Sequence, residues 1–102
     1  MTEESIEVIR GSGNVYADVG DPDAETRHLK AYLAAEIIAV LDQRKLTVRE
    51  AAKVTHVTAA DLSRIRNADL GRFTLDRLVR VLNNLDRRVT LTVKKAEETA
   101  AV

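Results

Sequence analysis

His28 and His56 are the only imidazoles in this 102-residue chain, and no cysteine accompanies them. The absence of cysteine removes disulfides, thiolate metal sites and Cys nucleophiles together, and neither histidine has a third ligand at metal-binding spacing. Asp61 and Ser63 follow His56, but side chains two apart on a helix point to different faces and form no triad. Gly11-Ser12-Gly13 has the glycines of a phosphate loop without the preceding strand, the following helix or a GK[ST] ending. These residues predict no enzyme, metal site, cofactor or small-molecule substrate.

A different spacing does carry chemistry. In Thr47-Val48-Arg49-Glu50, Thr47 is an N-cap with Glu50 at the reciprocal capping-box position, and a short helix runs from there to about Val54. Thr55-His56-Val57 has the length of a turn. Thr58 then caps a second short helix ending near Asn67, with Asp61 at its reciprocal position. Ala51 and Ala52 are small enough for two helix axes to approach closely, and Val57, Leu62 and Ile65 fill the junction. Two capped helices across a tight turn form a helix-turn-helix arrangement. Its outer or flanking side carries Thr58, Ala59, Ala60, Asp61, Ser63, Arg64, Arg66 and Asn67, the candidate contacts to base edges, with Thr47, Arg49 and Arg64 as candidate phosphate contacts. Lys53 and Arg66 add charge to the same region.

The elements that must position this pair are also legible. Leu29, Tyr32, Leu33, Ile37, Val40 and Leu41 recur at intervals of three and four, which predicts a helix over 24–44 capped by Asp23 or Asp21. Thr74 opens a further helix with Leu75, Leu78, Val79, Leu82 and Leu85 as its apolar stripe. Residues 87–94 alternate as a half-buried strand does, and residues 96–102 carry no packing signal. Glycines and the sole proline break up the segment before residue 23, leaving a short candidate strand at 14–19. The expected division is an acidic arm 1–23, a helix-turn-helix domain 24–86, a strand 87–95 and a tail 96–102.

Sixteen basic and sixteen acidic residues cancel overall but are unevenly spread. Residues 1–26 hold seven acids against one base, whereas residues 27–67 hold eight bases against four acids, so an acidic arm precedes a basic body. Such a body suits a polyanion and such an arm a cationic partner; mutual compensation within the chain is the plainer alternative. No apolar run approaches the roughly 20 residues of a membrane span. Met1-Thr2-Glu3-Glu4-Ser5 lacks the positive start of a secretory signal, which predicts a cytoplasmic protein.

Three ordered segments carry a family resemblance: Leu46-Thr47-Val48-Arg49-Glu50-Ala51-Ala52, Leu62-Ser63-Arg64-Ile65, and Arg72-Phe73-Thr74-Leu75-Asp76-Arg77-Leu78. With the upstream run from Gly11 to Gly20, they make the chain similar, over about residues 10–94, to HigA-like antitoxins with an Xre/Cro-type helix-turn-helix. The resemblance implies a mainly α fold with an extended N-terminal arm and a C-terminal strand. It also implies a homodimer that binds operator DNA, represses its own operon and neutralises a RelE/HigB-type ribonuclease toxin. The chain departs from the family pattern where Ala59, Ala60 and Asp61 stand in place of the usual polar and basic readers. An acid there either accepts from cytosine N4 or caps the helix. His56 stands where the family turn has glycine, which predicts a left-handed residue.

Two further surfaces are expected. Val15, Tyr16 and Val19 would anchor the arm on the toxin, with Asp18, Glu25 and Glu36 steering it towards a basic RNA-binding surface. The strand face of Val89, Leu91 and Val93, together with Leu82 and Leu85, would form the twofold contact. Pairing of the strand with residues 14–19 is the intramolecular rival. A dedicated regulator without a toxin and an interaction module with weak DNA affinity are the other functional readings.

Overall fold

A computed structural model describes residues 4–9 and 23–95. In chain order its elements are β1 (Glu4–Ile9), α1 (Ala24–Arg44), α2 (Val48–Thr55), α3 (Ala59–Arg66), α4 (Leu75–Asn84) and β2 (Arg87–Thr92). The fold is mainly helical, and the four helices begin and end within a residue or two of the sequence expectation. Asp23 occupies the N-cap position of α1, but its side chain makes no capping bond. The helix is propagated instead by burial of Leu29, Leu33, Ala34, Ile37, Val40 and Leu41, one face at helical spacing. Tyr32, expected in that stripe, sits at its edge and is 38% exposed.

The core lies where α1 crosses α4 and α3. Ile37, Leu78, Leu82 and Leu85 are fully buried, and Phe73 of the α3–α4 loop is buried with them. Leu82 and Leu85 therefore spend their side chains inside the protomer and offer no surface to a second copy, which corrects their expected place in a dimer contact. α2 packs on both α3 and α4, with Ala51 and Thr55 its buried residues. Ala52 is half-buried and packs against the same core. Helix α2 also runs one residue further than expected, because Thr55 is buried with its hydroxyl donating to Ala51 O at 2.7 Å. Asn84 Nδ2 donates to Thr55 O at 3.2 Å, which fastens the end of α2 to α4.

The turn to α3 is thus His56-Val57-Thr58. His56 adopts φ 62° and ψ 33°, the left-handed conformation expected of it, and its N–H donates to Ala52 O. Val57 plugs the junction.

β2 is also shifted from expectation in what it pairs with. β1 and β2 form a two-stranded parallel sheet with Glu4 level with Arg87, Ile6 with Val89 and Val8 with Leu91. Parallel strands need a long crossover, and here the entire helical body is the crossover. β2 pairs with residues 4–9, a partner the sequence reading does not name; residues 14–19, the rival it does name, lie outside the described residues. One edge of β2 is filled by its own chain. Among the described residues its other edge has no strand neighbour.

Two measurements check this packing. Ala51→Leu forces the α2 crossing apart and lowers the free energy of unfolding in urea by about 1–3 kcal/mol. His56→Gly relieves a left-handed side-chain-bearing residue and raises it by about 0.5–1 kcal/mol, net of the greater chain entropy that glycine brings.

Candidate nucleic-acid interface

Backbone capping sets the start of each short helix. Glu50 N donates to Thr47 Oγ1 at 3.1 Å, and Thr47 N donates back to Glu50 Oε1 at 2.9 Å, so the capping box of α2 is closed on both sides. At α3 only half of that device forms. Asp61 N donates to Thr58 Oγ1 at 3.0 Å, but the Asp61 carboxylate does not reach back to the cap. Its two oxygens are taken elsewhere. Arg64 Nη1 donates to Oδ1 at 2.7 Å, and Arg77 Nη2, from α4, donates to Oδ2 at 2.7 Å.

This arrangement corrects the expectation for Asp61 in both of its forms. The residue is 8% exposed with both oxygens engaged, so it is neither an acceptor for a cytosine amino group nor the reciprocal cap. The Arg77 guanidinium holds its carboxyl below the ordinary value of 3.8, with Arg64 adding to the effect and partial burial opposing it. Arg77 is itself seated over the Phe73 ring, 4.7 Å from guanidinium carbon to centroid. Sequence reasoning assigned Arg77 no site role, because no periodicity within α3 points to a partner sixteen residues downstream on another helix. The available signal was Asp61 itself, an acid among inward positions of a helix otherwise flanked by arginines.

The remaining candidates divide by exposure. Thr58, Ala59, Ala60, Ser63 and Asn67 are exposed along the outer side of α3, and Ala59, Ser63 and Asn67 follow one another at intervals of four. Arg64 is partly covered, its side chain 34% exposed beside Asp61. Thr47 and Arg49 are exposed at the start of α2. Arg66 turns towards α1, where its Nη2 lies 2.9 Å from Asp42 Oδ1 in a solvated ion pair. Lys53 is exposed.

Of the expected toxin contacts, Glu25 and Glu36 are half-buried on α1, and their separation of three helical turns puts them on one face. Val15, Tyr16, Asp18 and Val19 lie outside the described residues. On β2, Val89 packs against the core while Leu91 is 54% exposed; Val93 beyond the strand is 73% exposed. Among the described residues no group of three His, Cys, Asp or Glu side chains could hold a metal ion, and no helix is long and apolar enough to cross a membrane.

A short capped helix, a three-residue turn with a left-handed first residue, and a second capped helix with an exposed outer face define a helix-turn-helix protein. The chain belongs to the helix-turn-helix domain family, whose model matches residues 15–94. It is also similar to a solved structure described as an XRE family transcriptional regulator, at 35% identity and a TM-score of 0.69. That match covers 76% of this chain and 88% of the other, which makes the helix-turn-helix of the XRE type. No curated protein matches the chain.

The Asp61 cluster has a pH signature. A carboxylate held below its ordinary value stabilises the fold above about pH 4 and loses that contribution as pH falls through its folded-state value. In urea titrations, Asp61→Asn should be less stable than wild type at neutral pH, and the gap should close below about pH 4 as the wild-type carboxylate takes up its proton.

Proposed function

We propose that this chain is a DNA-binding transcriptional regulator and, within that class, the antitoxin and autorepressor of a type II toxin–antitoxin pair. The observation that carries the DNA-binding role is the outer face of α3, which exposes Thr58, Ala59, Ala60, Ser63 and Asn67 and adjoins the partly exposed Arg64. On this reading α3 enters the major groove. Ser63, Arg64 and Asn67 supply hydrogen bonds, Thr58 a short polar contact, and Ala59 and Ala60 methyl contact with thymine, while Thr47 and Arg49 meet phosphate. Asp61 acts from behind this face and not on it.

The toxin role draws on the acidic character of residues 1–26 and on the resemblance to HigA-like antitoxins. Neutralisation would proceed by the arm and α1 covering a basic RNA-binding surface on a RelE/HigB-type ribonuclease, with Val15, Tyr16 and Val19 as anchors and Asp18, Glu25 and Glu36 as steering charges. A homodimer built on β2, with Val89, Leu91 and Val93, would give the two recognition helices that a palindromic operator requires. The protein would act in the cytoplasm, without a cofactor or substrate.

Two other readings have specific support. The XRE regulator similarity fits a stand-alone repressor equally well. Ala59 and Ala60, which offer no bidentate contact, favour an interaction module with weak DNA affinity.

Fluorescence anisotropy on the chain's own upstream DNA and on a scrambled duplex, at about 50 and 200 mM salt, separates these readings. A regulator keeps its preference at the higher salt, and Ser63→Ala with Asn67→Ala removes it. Equal binding that disappears at the higher salt leaves the interaction module. Co-purification with the product of an adjacent small basic reading frame, weakened by Tyr16→Ala and Val19→Ala, is expected of the antitoxin and not of the stand-alone repressor.

A further inference from the structure

We infer that Arg77 of α4 is a positioning residue for DNA recognition: through the carboxylate it shares with Arg64, it fixes the direction in which Arg64 leaves α3, and sequence preference depends on that direction. The inference rests on the DNA-reading role of α3 proposed above.

Phe73 is 1% exposed and immobilised by its surroundings. The Arg77 guanidinium lies 4.7 Å from its centroid, so the aromatic face anchors an otherwise flexible side chain. Arg77 Nη2 donates to Asp61 Oδ2 at 2.7 Å, and the Asp61 backbone N–H is held by Thr58 Oγ1 at 3.0 Å. With the Asp61 main chain held at the cap and one oxygen held by Arg77, the carboxylate presents its other oxygen in one direction. Arg64 Nη1 donates to the remaining oxygen at 2.7 Å and takes its direction from this fixed acceptor.

The cluster is open on one side. The Asp61 side chain is 12% exposed, whereas those of Arg64 and Arg77 are 34% and 39% exposed. Each guanidinium carries five N–H donors and one contact to Asp61 leaves most of them for other acceptors. Two guanidinia against one carboxylate also keep one positive charge in excess, so attraction to DNA survives the pairing. Arg64 follows Ser63 and precedes Asn67 by three on the outer side of α3, so its fixed donors adjoin the polar residues of that face. An arginine ordered before binding loses less freedom on contact with a base or phosphate than one that must be ordered by the DNA.

The test has a free-protein arm and a DNA arm. In nitrogen-15 spectra of the whole chain, the Arg64 side-chain signals should show restricted motion, and Arg77→Gln should release them while unfolding still occurs as a single cooperative transition. In anisotropy, Arg77→Gln should reduce the preference for the upstream fragment over a scrambled duplex by about tenfold. The same change made on Arg64→Ala should reduce it no further, and Arg77→Lys should restore only part of the loss because its point charge lacks the guanidinium fork. If Arg77→Gln does not fold, Arg77→Lys and Asp61→Asn carry both arms, with Asp61→Asn releasing Arg64 and raising affinity for the scrambled duplex. Arg64 signals that are mobile in wild type, or unchanged by these variants, overturn the inference. An equal loss of preference with and without Arg64 assigns Arg77 to stability alone and also overturns it. A wild-type chain with no preference overturns the DNA reading itself, a failure told apart by the spectra, which need no DNA.

Discussion

Helices of eight residues do not persist in water by themselves, and both α2 and α3 have that length. Their existence depends on burial against the longer α1 and α4. Ala51 and Val57 from the first half of the motif and Leu62 and Ile65 from the second enter one core with Ile37, Leu78 and Leu82. Full burial of a large aliphatic side chain contributes about 1.5–3 kcal/mol, against about 1 kcal/mol for a cap. Packing therefore holds the two helices in place, while Thr47, Thr58 and Thr74 decide where each begins. The face of α3 left over after this burial is the only part of that helix free to meet another molecule.

Electrostatics acts at two levels in this body. Arg66 with Asp42 and Arg80 with Asp76 are solvated pairs of the kind that contributes little to stability. Asp61 differs, because its carboxylate is largely withdrawn from water and satisfied from two helices at once. Removing either arginine leaves one Asp61 oxygen without a donor in a poorly solvated place, so the two arginines are coupled through Asp61. The Arg77–Asp61 contact also joins α3 to α4 directly.

The helical part of the fold was legible because its signals are local. Threonine caps, apolar residues at intervals of three and four, and His56 at the position of a left-handed turn each speak within a few residues. What the sequence concealed depends on distant partners. Arg77 and Asp61 sit on different helices, and no periodicity relates them. Leu82 and Leu85 were legible as apolar but not as inward, since an apolar stripe is the same whether its cover comes from the same chain or another. β1 was hidden for a different reason. Its apolar residues Ile6 and Val8 alternate with Ser5 and Glu7 inside a segment whose acids dominated its reading, and the strand that pairs with it lies at the other end of the chain. Ala59, Ser63 and Asn67 were identified as outward because subtraction of the core positions left them no other place.

The parallel pairing of β1 with β2 gives the chain an order of assembly. Glu4 lies level with Arg87, so the first described strand finds its partner only after every helix has been made. During synthesis the caps and short-range contacts of α1 to α4 can close early, while the amino-terminal strand leaves the ribosome with nothing to pair against. Closing so long a loop is entropically slow but, once the helical body has brought its ends near, adds little further cost. The sheet is therefore the latch of the fold, the contact made last, and Val89 of β2 carries it onto the helical core.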